Sequence, residues 1–444
     1  TVGLRLSMYT PLEKNDREKM IEYMRLYKKI YHLIIGVILF VGLLLIPFIP
    51  SMVVAPNVKE NVSLLYILYL GQTLVTYILV YKKSIFIADQ KSYIVNICTQ
   101  LFNLAMNIVQ CIFLVITHNF IIYCFLNIIF NLANNIFCAY LANKKYPYIN
   151  DNPNSSLGIA EIKTLFTDVK GLLLTKIAST AFSGTDNIFI SAFIGIRYVG
   201  ILSNYTVFSG IVNSVMNKIF GAMTASIGNL IASGKEERIE GVIKKLFFLN
   251  TALYGYLCLG MMVLLREFVT QIWLNTEYYL PQIIISFVII ELFLRSIHYP
   301  LYITRTAMGC FSEYAELFAV AAVLNIILDF ILVKPLGISG LYISTIVCQG
   351  ITYIVDIWVV YHQQLKKSVL NYFKMVVVWL VFLSINGFAM TKIVNLITIS
   401  GLAGFILRGL AISGIYAIFF LFTFSHSEEF GYYRNMITRL AIKK

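Results

Sequence analysis

Long apolar runs divide this chain of 444 residues, and they constrain its fold more than any other feature of the sequence. A helix needs about 20 apolar residues to cross the hydrocarbon core of a membrane. None of the runs alternates with a period of two, as the strands of a membrane barrel do. The sequence therefore predicts an all-α polytopic membrane helix bundle. Twelve runs are present, at residues 31–54, 61–81, 92–117, 119–142, 170–195, 198–232, 246–268, 279–303, 314–333, 337–361, 372–391 and 399–425.

The composition agrees with a membrane protein. Hydrophobic residues make up 59% of the chain and charged residues 13%, whereas soluble domains carry about 25% charged residues. The net charge of +13 would suit a nucleic-acid partner, but in a membrane protein an excess of Lys and Arg marks cytoplasmic loops. We therefore predict no nucleic-acid partner. The cysteines are scattered through apolar runs without a CxxC pair, as buried thiols are.

Lysine and arginine are distributed unevenly between the two alternating sets of connections. One set, which includes both ends of the chain, holds most of them. The other set holds only Lys59, Arg197, Arg266, Lys334 and Lys392. Cytoplasmic loops carry the excess of positive charge, so the first set is predicted to be cytoplasmic. Both termini of this multi-pass protein are then expected on the cytoplasmic side.

The sequence contains two pairs of weakly similar internal segments. RLSMYTPLEKNDREKMIE at 5–22 resembles TASIGNLIASGKEERIEG at 224–241, and NLAMN at 103–107 resembles NIILD at 325–329 at nearly the same separation. Copies six spans apart have the same orientation, as in transporters built from parallel repeats. The second copy follows two spans and the first follows almost nothing. We therefore expect 12 helices of a full set of 14, with the first helix and most of the second missing.

Three stretches carry a resemblance to a known family. They are TDNIFISAFIGIRYVGILSNY at 185–205, IGNLIASGKEE at 227–237 and NIILDFILVKPLGISGLYISTIV at 325–347. They resemble the polysaccharide-repeat-unit flippases of the multidrug/oligosaccharidyl-lipid/polysaccharide exporter superfamily, and the similarity runs through essentially the whole chain. The resemblance implies two pseudo-symmetric lobes followed by two further helices. It also implies flipping of lipid-linked oligosaccharide repeat units from the inner to the outer leaflet of the bacterial plasma membrane.

The implied partners and domains follow from that resemblance. The substrate would be a lipid-linked oligosaccharide of the polyprenyl-diphosphate type, with membrane lipids and a polysaccharide polymerase as further partners. We expect an N-terminal lobe at 1–145, a cytoplasmic linker at 146–169, a C-terminal lobe at 170–362, and two extra transmembrane helices with a basic cytoplasmic tail at 363–444. Apolar residues near helical spacing in the linker favour either an interfacial amphipathic helix or an extension of the next span.

Charged residues inside the spans are the candidate site residues. A charge at the bilayer centre costs about 2.5–3.5 kcal/mol on insertion scales, so such residues are expected to face protein or water. Glu291 and Arg295 have the spacing of a helical ion pair, so an internal salt bridge is the alternative for them. Asp186 has the alternative of bonding backbone or a neighbouring lysine. The predicted substrate-cavity residues are Lys176, Asp186, Asn204, Lys218, Glu291, Arg295, His298 and Arg408.

Other charges near the ends of spans are assigned different roles. Arg266 and Arg305 are expected to snorkel to lipid headgroups. Asp329 and Asp356 are expected to lie outside the substrate path. The alternatives for Arg408 are contact with headgroups or a groove beside the last two helices.

No catalytic constellation is present in the sequence. It has neither a P-loop nor an HExxH motif, so we predict no enzyme activity, no cofactor and no metal. An ion-coupled exporter of drugs or small metabolites from the same superfamily is the alternative function. A membrane polymerase or glycosyltransferase is disfavoured, because the outer connections are short and no DxD motif occurs.

Overall fold

The structure is a computed structural model, and it shows a helical membrane protein. It describes residues 8, 11–12, 16–52, 61–151, 158, 180, 184–221, 227, 230, 239–308 and 312–442. Within these ranges all regular structure is helical, and 11 helices are long and apolar enough to cross a membrane. They correspond to eleven of the predicted runs. The remaining run, 170–195, is largely outside the described residues, as are most of the opening segment and the linker.

The chain divides into two compact units, residues 1–173 and 174–444. The helices of the first unit are α1 (Arg17–Leu45), α2 (Val62–Tyr77), the short α3 (Lys83–Ala88), α4 (Ser92–Thr117) and α5 (Phe120–Lys145). Side-chain oxygens of Asp16, Asn61 and Asn119 accept hydrogen bonds from the first-turn amides of α1, α2 and α5. Such caps satisfy backbone donors that the helix itself leaves unpaired.

One end of the first unit is held by aromatic packing and a buried lysine. Met20, Tyr27 and Phe86 belong to one apolar cluster that α1, α3 and α5 share. Lys82 lies beside this cluster and donates to Asn143 Oδ1 at 2.6 Å and to Asn150 Oδ1 at 2.9 Å. The two amides solvate the ammonium group of this lysine, a residue that is only 9% exposed.

The second unit contains the candidate site. Its helices are α6 (184–193), α7 (Ile196–Gly221), α8 (Ile239–Glu267), α9 (Gln282–Met308), α10 (Ser312–Leu336), α11 (Ile338–Ile357), α12 (Val369–Val394), α13 (Gly401–Phe424) and α14 (Glu428–Ile442). Helices α12 and α13 pack on α8, where Tyr416 Oη donates to the carbonyl of Ala252 at 2.7 Å. The rings of Trp379 and Phe424 stack with centroids 4.5 Å apart. The last two spans are therefore part of the second unit.

Helices α10 and α11 form a tight hairpin. Gly337 alone connects them, with a φ of 59° that suits glycine. Gly340 allows the helices to approach closely, because a Cβ at this position would lie 2.3 Å from the carbonyl oxygen of Leu332. The hairpin brings polar residues of α10 and α11 together inside the unit.

The structure corrects one expectation. Arg305 does not snorkel, because only 3% of its surface is exposed and its Nε lies 3.2 Å from Asp356 Oδ1. Residues 428–442, within the segment expected to contain a basic tail, form helix α14. By contrast, Arg266 remains at the end of its span, where its guanidinium lies against the ring of Tyr279.

Candidate functional site

A pair of carboxyl groups lies between α6 and α10. Asp186 and Asp329 are close enough to interact electrostatically, and Asp329 is fully buried. Among the described residues, no donor reaches Asp186 Oδ1 or Asp329 Oδ2. Two carboxyl groups can share a hydrogen bond only if one carries the proton, and two carboxylates need a cation to offset their repulsion. A proton or a cation between the two carboxyl groups would therefore stabilise the pair.

Neutral oxygen-bearing side chains complete this cluster. Ser344 donates to Asp329 Oδ1, and Asn325 Nδ2 donates to the hydroxyls of Ser344 at 3.0 Å and Thr345 at 3.3 Å. The amide oxygen Asn325 Oδ1 is buried and also receives no hydrogen bond from the described residues. Carboxylate, amide and hydroxyl oxygens are the ligand types that hard cations prefer. We call Asp186, Asn325, Asp329, Ser344 and Thr345 the acid cluster.

An ion pair lies beside the acid cluster. Glu291 and Arg295 on α9 form the i,i+4 salt bridge that their spacing predicts. Gln349 on α11 also donates to Glu291 Oε1, at 3.0 Å. Both charges are close enough to Asp186 to interact with it electrostatically. The side chain of Arg295 is 48% exposed and that of Glu291 15%, so the guanidinium is the accessible member of the pair.

A second buried polar group lies between α9 and α11, and its central residue is Asp356 of α11. Asp356 is fully buried and contacts His298 through one oxygen and Arg305 through the other. The ring of Tyr353 packs edge-on against His298 with centroids 5.7 Å apart. These contacts join α9 to α11 and give His298 a structural partner.

Three other predicted site residues occupy different places. Asn204 donates to the carbonyl of Gly200 in its own helix at 2.8 Å. Lys218 is exposed in the last turn of α7. Arg408 pairs with Glu267 and donates to the carbonyls of Ile397 and Ile399. Lys176 lies outside the described residues. Substrate contact by these four residues stays a prediction.

Asp329 was predicted to lie outside the substrate path, and its side-chain partners in the acid cluster were not predicted from the sequence. The signal was present, because NIILD places Asn325 and Asp329 four residues apart, on one face of a helix in an otherwise apolar run. In the sequence that motif supported the internal similarity to 103–107 and the family resemblance, but not a site. The structure thus brings Asp186, Glu291 and Arg295 together with acids and amides that the sequence analysis did not assign to a site.

Comparisons with known proteins show the fold. No protein-family model matches the chain, and no curated protein matches it in sequence. The structure is similar to that of the lipid II flippase MurJ in its inward closed conformation. The TM-score is 0.59 and the identity 14%, over 98% of this chain and 94% of that one. An outward-facing multidrug resistance MATE family transporter of the MOP superfamily matches with a TM-score of 0.46 and 14% identity, over 80% of this chain and 81% of that one.

These findings define the class of protein. The chain is a multi-pass, all-α membrane protein, and its helices follow the fold of MurJ over nearly their whole length.

Proposed function

We propose that this protein flips lipid-linked oligosaccharide repeat units from the inner to the outer leaflet of the bacterial plasma membrane, by alternating access, for surface polysaccharide synthesis. The observation that carries the proposal is the fold it shares with a lipid II flippase over 98% of the chain. The three sequence stretches that resemble polysaccharide-repeat-unit flippases support the choice of substrate. A polysaccharide polymerase would act on the flipped product.

Arg295 is the proposed contact for the diphosphate of the substrate. Glu291 holds the guanidinium at one edge, and Gln349 fixes Glu291 in turn. A guanidinium presents several donors in a plane, so an arginine paired at one edge can still grip phosphate through another. Lysine would act only as a point charge, so Arg295→Lys should retain part of the function and Arg295→Ala very little.

The acid cluster is the proposed coupling site. Exchange of its proton or cation would change the net charge between α6 and α10, and in a low-dielectric interior such a change strongly favours one arrangement of helices over another. The sequence contains no P-loop, so an ion gradient, the membrane potential or the substrate gradient would drive transport. Asp186→Asn and Asp329→Asn keep the shape of each side chain and remove its ability to ionise.

Complementation tests the proposal. The intact gene is expressed in a strain that lacks its polysaccharide flippase, and surface polysaccharide is measured after protein levels are matched. We expect the wild type and Lys392→Ala, a change of an exposed residue in the last turn of α12, to restore the polysaccharide. Arg295→Ala and Asp186→Asn should not. Full restoration by both of these variants would refute the assigned roles.

The same strain distinguishes the alternative function. An exporter of drugs or small metabolites would lower drug susceptibility and leave surface polysaccharide unrestored. A flippase would restore polysaccharide and leave susceptibility unchanged. Restored resistance without polysaccharide would therefore refute the flippase proposal.

A further inference from the structure

The last helix, α14, has an amphipathic pattern. At about 100° per residue, Tyr432, Met436 and Phe430 span an apolar side of about 160°. Arg434 and Arg439 lie near the two opposite edges of this apolar side, and both are exposed. An apolar side bordered by basic residues is the pattern of helices that lie in the plane of a membrane interface.

Helix α14 is attached to the second unit at a defined place. Three residues separate it from the end of α13. It therefore starts where a span leaves the membrane. Tyr433 Oη donates to the carbonyl of Lys245 at 3.1 Å, and the ammonium of Lys245 lies 3.9 Å from the centre of the Tyr432 ring. These contacts hold one side of α14 against the beginning of α8.

Much of the apolar side stays exposed despite these contacts, in the described part of the chain. Tyr432 is 45% exposed, Met436 43% and Ile437 64%. The end of the adjoining span is similarly apolar at its surface, since Phe422 is 88% exposed. The boundary between acyl chains and headgroups would cover such exposed apolar residues on α13 and α14.

The end of the unit that carries α14 is rich in cations. Contacts between Lys367 and Glu240, and between Tyr433 and Lys245, place the starts of α8, α12 and α14 at this end. Among the described residues of these segments, the carboxylates are Glu240, Glu428 and Glu429. The cations are Lys244, Lys245, Lys366, Lys367, Lys374, Arg434 and Arg439. Their excess is complementary to anionic lipid headgroups.

We propose that α14 binds anionic phospholipids of the membrane in which the chain lies. Tyr432, Met436 and Ile437 enter the acyl boundary, and Arg434 and Arg439 bind headgroup phosphates on either side of the helix. The inference stands on the geometry of α14 and its surrounding charges, and does not depend on the proposed transport substrate.

Native mass spectrometry of the full chain in neutral detergent tests this inference. Phosphatidylglycerol or phosphatidylcholine with matched acyl chains is added, and bound lipids are counted. We expect phosphatidylglycerol to bind preferentially, and Arg434→Gln/Arg439→Gln to weaken its binding by about fivefold for each arginine removed. Higher ionic strength should reduce the preference, because headgroup attraction is screened by salt.

Two control variants make the result specific. Arg197→Gln/Lys392→Gln removes two exposed cations from the opposite end of the unit and should leave phosphatidylglycerol binding unchanged. Arg434→Lys/Arg439→Lys keeps the charge and should retain most of the binding. Equal binding of the two lipids by the wild type would overturn the proposal. So would wild-type phosphatidylglycerol binding by the Gln variant of α14.

Discussion

Replacement of Asp356 by alanine should strongly destabilise the protein, because the carboxylate lies beside a buried arginine. Asp356 Oδ1 is 3.2 Å from Arg305 Nε, and the exposed fractions of the two side chains are 0% and 4%. The other carboxylate oxygen contacts His298. Without the carboxylate, the guanidinium keeps its charge in a low-dielectric interior. Removal of one partner of a buried ion pair costs about 3–5 kcal/mol.

Two further variants separate the loss of the pair from the loss of packing. In Arg305→Met/Asp356→Leu both charges disappear, so this variant should be within about 1–2 kcal/mol of the wild type. Lys244→Ala breaks the more exposed pair with Glu240, whose atoms are 3.0 Å apart, and should cost at most about 1 kcal/mol. The size of the effect should therefore follow burial.

The free energy of unfolding can be measured by reversible unfolding with dodecyl sulfate in mixed micelles, with circular dichroism as the signal. The expected order of stability is wild type, then Lys244→Ala and the double variant, then Asp356→Ala. A cost below about 1 kcal/mol for Asp356→Ala would refute the reasoning about burial. A double variant as unstable as Asp356→Ala would show that packing, and not charge, carries the effect.

Two more predictions concern close packing and pH. Gly340→Ala should cost about 1–3 kcal/mol, since its Cβ would meet the Leu332 carbonyl, whereas Gly350→Ala has open space and should be neutral or stabilising; equal unfolding midpoints would contradict this. Burial opposes ionisation of Asp89, but hydrogen bonds, including one from Tyr146, lower the pKa of its carboxyl below the ordinary value. The resulting stability is present above about pH 4 and is lost as the pH falls through the lowered pKa. Tyr146→Phe should raise that pKa, so a pH series of unfolding midpoints should start to fall at a higher pH than for the wild type.

The spans could be predicted from the sequence because their signal is local. The run at 92–117 corresponds to the helix Ser92–Thr117, since apolar length alone sets such an element. The Glu291–Arg295 pair was also predictable, because four residues on one helix fix the distance between two side chains. A charge next to its partner in the sequence needs no knowledge of tertiary packing.

The acid cluster could not be predicted, because its members come from three helices. Asp186 meets Asp329 only through the packing of α6 on α10, and no spacing in the sequence encodes that contact. Arg305 was assigned to headgroups because it lies near the end of a span, yet Asp356 on another helix draws it into the interior. Helix α14 was missed because its polar residues outweigh the apolar signal used to find spans.

The one-residue connection between α10 and α11 has a mechanical consequence. Gly337 supplies only two soft dihedral angles, and the close contact at Gly340 blocks much of their range. The two helices are then expected to move together as one rigid hairpin, which carries Asn325, Asp329, Ser344 and Thr345. Asp186 belongs to α6, outside this hairpin. Motion that opens the carboxyl pair is therefore expected as sliding or tilting between α6 and this hairpin.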